Sequence, residues 1–544
     1  MYNLKIKKSY YLLLVVILLS LVGSAATISL DSYQDKVHGG WLGQMIGNIF
    51  GLPTEGHFIS GMGPTSLTYY ANTPSYAISD DDTFNDLVWL YALERYGIEL
   101  TSADLAKEWQ RQIVAGSMAC ANYRARLNIE EGIMPPLTGH PSNNEYSLYI
   151  DAQIEADIWG LISPGMPDIG TEYASKMGEL MAYSDGEYGG RFIAALYSLA
   201  FIEDDIPSLI NQALEFIPAE SRYYEVIKYA IEAYQTYPDS CKRARSMVYR
   251  KYYKAGQTPT GGWVIADING AMVVLSLLYG EGDFDKTLAL AVQFGLDNDC
   301  NAASAGGIIG TFLGAENIPE RWKSPLNNLY YNSVLQMAPA YLTITDIAER
   351  TVKIGIENIR KNGGSLDQSE TIALPDFNTV TPEYKEPWSD DMIAGSMIQD
   401  WEEGWEIQNL GWDMNPGIMQ SYEGRDTVFA SHPLNQNTPF SFVRTQTLPE
   451  QTSTTLKMGV TSFNGSAHPT HLAADWELRV YVNDELIFTK LIERQDQKIV
   501  WYDLEVSLAK YAGQTVDIRV ENYPNNWSFE AAYWDYLSLE TSTY

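Results

Sequence analysis

Two short acidic runs are the parts of this sequence best equipped for chemistry. One is Ser79-Asp80-Asp81-Asp82-Thr83 and the other is Asp297-Asn298-Asp299-Cys300-Asn301. Each precedes a stretch of helical apolar spacing, where carboxylates cap free N–H groups and complement the helix dipole. Capping accounts for either run alone; the pair asks for more. Consecutive carboxylates repel one another unless cations neutralise them, and hard divalent ions take oxygen ligands from carboxylates, hydroxyls and water. A fold that brings both runs together creates a site for one or two such ions.

The elements that must position these runs follow from periodicity. Leu42, Met45, Ile46, Ile49 and Phe50 fall on one helix face, as do Phe192, Ala195, Leu196, Leu199 and Ala200. Gly39, Gly43, Gly47 and Gly51 recur every four residues, and so do Gly306, Gly310 and Gly314. Glycine is costly inside a helix, so these stripes predict closely packed backbones. Residues 27–365 read as one large all-α domain. Residues 366–394, rich in polar and turn-forming types, read as a linker. In 395–544 the period changes to two: Trp476, Leu478, Val480 and Val482 alternate with polar or aromatic neighbours, and Asn483-Asp484 suits a hairpin turn. That region reads as an antiparallel β-sandwich of jelly-roll type.

Composition narrows the partners. The chain has 544 residues, 45% of them hydrophobic, and a formal net charge of −33. Nucleic-acid polymers and anionic membrane surfaces are poor matches for such acidity. Lys5, Lys7 and Lys8, the apolar run Leu12–Val22 and the small residues Ser24, Ala25 and Ala26 have the order of a secretory signal. Residues 1–26 are therefore expected to be cleaved near Ala26, with the protein secreted or periplasmic in a bacterium and no membrane attachment afterwards. The rival reading, a spanning anchor, needs roughly 20 apolar residues. Three cysteines, Cys120, Cys241 and Cys300, do not make a disulfide framework.

The motifs carry a family resemblance. Gly43-Gln44-Met45-Ile46-Gly47-Asn48-Ile49-Phe50-Gly51-Leu52-Pro53-Thr54-Glu55 resembles the opening helix and following acidic residue of the ADP-ribosylglycohydrolase family. Asp80-Asp81-Asp82-Thr83 resembles its first metal motif, and Gly295-Leu296-Asp297-Asn298-Asp299-Cys300-Asn301-Ala302-Ala303 its second. The resemblance implies an all-helical fold holding Mg²⁺ or Mn²⁺, two ions in the family pattern. It implies Asp80, Asp81, Asp82, Asp297, Asp299 and Cys300 as metal ligands, and Glu55, Asp81 and Asp82 as catalytic groups. Asn122, Asp185, Gly186 and Tyr188 are the candidate substrate contacts. Asn48 replaces a frequent Asp, Asn298 a Thr and Cys300 a ligand Thr, and a thiol suits Mg²⁺ poorly.

The expected activity is metal-dependent hydrolysis of a ribosyl glycosidic bond in a small-molecule or glycan substrate. Hydrolysis of other furanosyl saccharides or nucleosides for scavenging is an alternative. A non-catalytic binding protein that keeps the fold is another. Trp501-Tyr502-Asp503-Leu504 and Ala531-Ala532-Tyr533-Trp534-Asp535 resemble galactose-binding-like, carbohydrate-binding modules, which implies glycan binding, a structural Ca²⁺ or a bracing role beside the helical domain. In that region Trp476 and Trp534 read as core, Trp527 or Trp412 as a sugar platform, and His468 and His471 as an exposed loop.

Overall fold

The computed structural model describes residues 26–253, 262–388, 392, 398, 401–402, 404–411, 414, 416–464, 475–494, 498–525 and 529–543. Residues 1–25 of the expected signal, Trp412, His468, His471 and Trp527 lie outside the described residues. No described helix is long and apolar enough to cross a membrane.

An all-α body is followed by a β-sandwich, as the periodicity predicts. The body is organised around two antiparallel helices, Leu30–Gly51 and Asn298–Leu313. Their glycine stripes face each other. A Cβ on Gly39 would stand 2.2 Å from the Gly310 carbonyl oxygen, one on Gly43 2.0 Å from that of Gly306, and one on Gly47 1.9 Å from that of Ala302. Any side chain would force the backbones apart, so the helical penalty of glycine, about 1 kcal/mol each, is offset by close packing. The ladder also fixes register. It sets the C-terminal turn of the first helix beside the N-terminal turn of the second, and a Cβ on Gly51 would lie 2.4 Å from Asp299 Cα.

Ala266–Gly280 and Phe284–Phe294, the latter capped by Asp283, pack nearby and are largely buried. The body is closed by a small sheet in which Thr27–Ser29 pairs with Thr371–Ala373, which in turn pairs with Ser365–Leu366. Part of the segment read as a linker is thus held on the helical body. Further along, Asn378 N–H donates to Asp168 Oδ2 at 3.2 Å and Arg191 donates to the Val380 carbonyl at 3.3 Å. The Lys385 ammonium meets Glu187 at 2.5 Å. The Trp388 and His140 rings are 5.0 Å apart, edge to face.

Among the described residues the sandwich has two five-stranded antiparallel sheets. One runs Tyr502–Ser507, Thr452–Ser462, Ala532–Thr543, Arg425–Ser431, Gly417–Tyr422. The other runs Glu485–Ile492, Trp476–Val482, Thr515–Tyr523, Phe440–Thr447, Glu406–Gln408. Leu478, Val480, Ile518 and Val520 point inward at alternate positions. Trp476 and Trp534 are fully buried between the sheets with ring centres 5.3 Å apart, so both are core. Asn483 and Asp484 form the expected hairpin turn with φ of 50° and 63°, the left-handed values that a two-residue turn matching strand twist requires.

Candidate active site

The two acidic runs meet. Asp80 is the N-cap of the Asp81–Tyr96 helix and Asp297 that of Asn298–Leu313. Both helices direct their N-termini at a cavity of about 290 Å³. Six carboxylates line it: Glu55, Asp80, Asp81, Asp151, Asp297 and Asp299. Gly295 and Leu296, with φ of 73° and 64°, turn the chain sharply so that Asp297 enters the cavity wall. Only glycine fits the first of these positions, because a Cβ there would stand 1.9 Å from the Phe58 carbonyl oxygen.

Oxygen or sulfur atoms of Asp81, Asp82 and Cys300 lie within 4.8 Å of one another, and so do those of Asp297, Asp299 and Cys300. Asp82 and Asp299 are buried, and each has an Oδ1 without a hydrogen-bond partner. Burial pushes the Asp81 and Asp82 carboxyls well up, and neighbouring Asp80, Asp81 and Asp299 add to it. Burial likewise raises Asp297 to about 8 and Asp299 well above the usual range. No Lys, Arg or His lines the cavity among the described residues. Buried orphan oxygens, mutual repulsion and the lack of a side-chain cation together fit a divalent-cation site. Cys300 is the discordant donor: burial holds its thiol protonated, and sulfur is a soft ligand.

Asp80 is a wall residue but belongs to neither cation-sized group. Asn48 holds it in place, its amide donating to Asp80 Oδ2 at 2.9 Å and Asp82 Oδ2 at 3.2 Å. Asn48 therefore supplies a bridging donor where a carboxylate would add repulsion. Asn298 turns away from the cavity and donates to Thr54 Oγ1 at 2.7 Å, tying the second run to the loop that carries Glu55. Glu55 stands on the wall with its carboxyl raised by partial burial and then by Asp80, an effect His57 opposes.

The four candidate substrate contacts lie elsewhere. Asn122 is buried behind the wall, where its N–H donates to Asp151 Oδ1 at 3.0 Å and its side-chain amide to Glu155. Asp185 accepts from Tyr223 N–H, in the first turn of the Arg222–Thr236 helix, at 2.8 Å. Gly186 packs against Ser147, whose carbonyl oxygen would be 2.3 Å from a Cβ. The Tyr188 hydroxyl accepts from Lys385 N–H at 2.7 Å. None of the four lines the cavity. Their Asp, Gly and Tyr types suit a binding loop, but the chain uses them to join helices to one another and to the 377–388 segment.

Three site residues escape sequence reasoning. Asp151 and Trp263 are on the wall, and Asn269 stands behind it. The Asn269 amide donates to the Trp263 and Ile265 carbonyls at 2.8 and 2.9 Å, and its oxygen accepts from Asn301 Nδ2 at 2.8 Å. Asn269 sits within an apolar helix, and a polar residue breaking such a run was the available signal.

Helix-borne carboxylates converge on one cavity in a helical body that a β-sandwich follows. The chain belongs to the ADP-ribosylglycohydrolase family, whose model matches residues 29–355. A solved structure described as an ADP-ribosylglycohydrolase-related protein complex is similar at 17% identity, covering 60% of this chain and 98% of that one, with a TM-score of 0.40. A structure described under CBM4 structure and function covers 27% of this chain and 94% of that one at 13% identity and a TM-score of 0.18. An apo cyclase from Fischerella sp. covers 25% and 72% at 12% identity and a TM-score of 0.19. No curated protein matches the chain.

Proposed function

We propose that the protein hydrolyses the glycosidic bond of a ribosyl-type substrate at a divalent-cation site, Mg²⁺ or Mn²⁺. The observation that carries this reading is the convergence of Asp81, Asp82 and Cys300 with Asp297 and Asp299 in one carboxylate-lined cavity. Asp81, Asp82, Asp297 and Asp299 would hold the cation, with Cys300 contributing its sulfur or standing aside. Bound there, a divalent ion supplies Lewis acidity and lowers the pKa of water.

The chain's own residues supply the rest. Glu55 stands on the wall beside Asp80, with a carboxyl raised toward the range useful for proton transfer. It would take a proton from the attacking water or give one to the departing atom. The surrounding carboxylates favour positive charge developing at the anomeric carbon of an oxocarbenium-like transition state. The apolar wall at Ile150, Ile154 and Val264 excludes bulk water.

The order of basic, apolar and small residues in 1–26 supports a place outside the bacterial cytoplasm. N-terminal sequencing of the protein recovered from the periplasm or medium tests this. The activity is tested by assaying ADP-ribosylated protein, nucleosides and ribosyl glycosides with and without chelator. Loss of activity on chelation and recovery with Mn²⁺ are expected. Full metal-dependent activity in Asp81→Ala or Asp299→Ala would overturn the assignment.

A further inference from the structure

Resting on the glycohydrolase reading above, we infer that this cavity takes a neutral glycosyl unit, a furanoside without phosphate, with Trp263 as its stacking face and Asp151 as an acceptor for its hydroxyls. Three observations carry this.

The first is charge. The described wall has six carboxylates and no cationic side chain. Two divalent ions bring four positive charges, fewer than the six carboxylates on the wall. A diphosphate would enter a field of its own sign, whereas sugar hydroxyls are donors that carboxylates accept. The second is size. At about 290 Å³ the cavity lies at the bottom of the range for small-molecule pockets, roughly 300–1,000 Å³. That space suits one sugar ring and part of its aglycone rather than a dinucleotide.

The third is the wall opposite the acidic runs. Ile150 N–H donates to the Val264 carbonyl at 3.0 Å and Ala266 N–H to that of Leu148 at 3.1 Å, so 148–151 and 263–266 form one backbone-bonded unit. Asn269 ties this unit to the second acidic run through the Trp263 carbonyl and Asn301. Trp263 is half-buried, and its six-membered ring would lie 3.7 to 3.9 Å from a Cβ on Gly56, next to Glu55. An indole fixed beside a proton-transfer carboxylate offers a flat apolar face to the C–H side of a sugar. Asp151 belongs to neither cation-sized group. One of its oxygens is held by the Asn122 amide, and the residue lines the cavity. It stands as a substrate contact distinct from the cation-binding carboxylates.

The test uses the full chain loaded with Mn²⁺ and three probes: methyl ribofuranoside, methyl arabinofuranoside and ADP-ribose. Binding is read by titration calorimetry and ligand-observed NMR, alongside Mn²⁺ affinity. At least one furanoside is expected to bind more tightly than ADP-ribose. Trp263→Ala should weaken it about tenfold, Trp263→Phe should restore much of the loss, and Asp151→Asn should weaken it about tenfold. Mn²⁺ affinity and the melting temperature should hold in all three variants. Tighter binding of ADP-ribose, no furanoside binding, or furanoside affinity unmoved in both Trp263→Ala and Asp151→Asn overturns the inference. Hydrolysis separates the two readings: cleavage of ADP-ribosylated protein with tight ADP-ribose binding sinks only this inference. No hydrolysis of any glycoside by the Mn²⁺-bound protein sinks the glycohydrolase reading.

Discussion

Gly47 faces Ala302 so closely that a Cβ on the glycine would stand 1.9 Å from the alanine's carbonyl oxygen. This contact joins the helix leading to Glu55 to the helix beginning at Asp297, so the spacing of the two acidic runs depends on it. Gly47→Ala should therefore cost about 1–3 kcal/mol or more, since the obstacle is backbone that cannot rotate away. A urea unfolding curve measures the loss. Mn²⁺ affinity should fall in the folded fraction of the variant, whereas Gly97→Ala, where the space around the Cβ is open but φ is 77°, should cost stability without changing Mn²⁺ affinity.

Metal should stabilise the protein. Without a cation, the clustered carboxylates of Asp81, Asp82, Asp297 and Asp299 repel, and binding relieves this only in the folded state. At Mn²⁺ a hundredfold above its dissociation constant the gain is about 2.7 kcal/mol, seen as a higher melting temperature that chelator reverses. Asp299→Ala should abolish most of that rise.

Asn48→Asp tests the bridge between Asp80 and Asp82. The substitution removes two donated hydrogen bonds and adds a carboxylate to the cluster. The metal-free variant should lose about 2–3 kcal/mol in a denaturant titration. Mn²⁺ should raise its melting temperature by more than it raises that of the unaltered protein.

A pH-dependent term comes from one helical turn deeper. Gln44 donates to Asp86 Oδ2 at 2.6 Å and to Asp157 Oδ2 at 3.0 Å, and the Tyr197 hydroxyl also donates to Asp157 Oδ2 at 2.5 Å. Burial raises Asp157 to about 8 and raises Asp86 strongly, with Asp157 adding to it. A carboxyl whose folded pKa exceeds its unfolded value, 3.8 here, stabilises fully below pH 4 and progressively less as pH rises through 8. Asp157→Asn accepts the same hydrogen bonds without the charge. Between pH 5 and 9 it should lose up to about 4 kcal/mol less than the unaltered protein, as urea midpoints at the two pH values will report.

Much of this arrangement was legible in the residues themselves. Glycine every fourth position announced backbone contact, because no other residue type permits it, and the paired acidic runs announced the site. Alternation around Trp476 announced a sheet with one buried face. The Gln44–Asp86–Asp157 network was not legible, since those residues belong to three helices whose crossing no local pattern encodes. Asp185, Gly186 and Tyr188 fall off the cavity wall for a related reason. Residue type gives the groups a side chain can bond but not whether a backbone amide of Tyr223 or Lys385 already claims it. Asp151 and Trp263 carry no motif, and only the backbone bonds between 148–151 and 263–266 bring them to one wall.

The pairing of Thr27–Ser29 with Thr371–Ala373, with Ile28 opposite Ile372, has a topological consequence. The helical body starts and finishes side by side, so its fold behaves almost as a ring. A short peptide joining 27 to 373, with new ends opened between the Ile206–Ala213 and Arg222–Thr236 helices far along the chain, would preserve every helix crossing. The sandwich departs further on, after the 377–388 segment. Tension applied through it would therefore load that segment's contacts with Asp168, Arg191, Glu187 and His140 before it reached the three-residue strand pair.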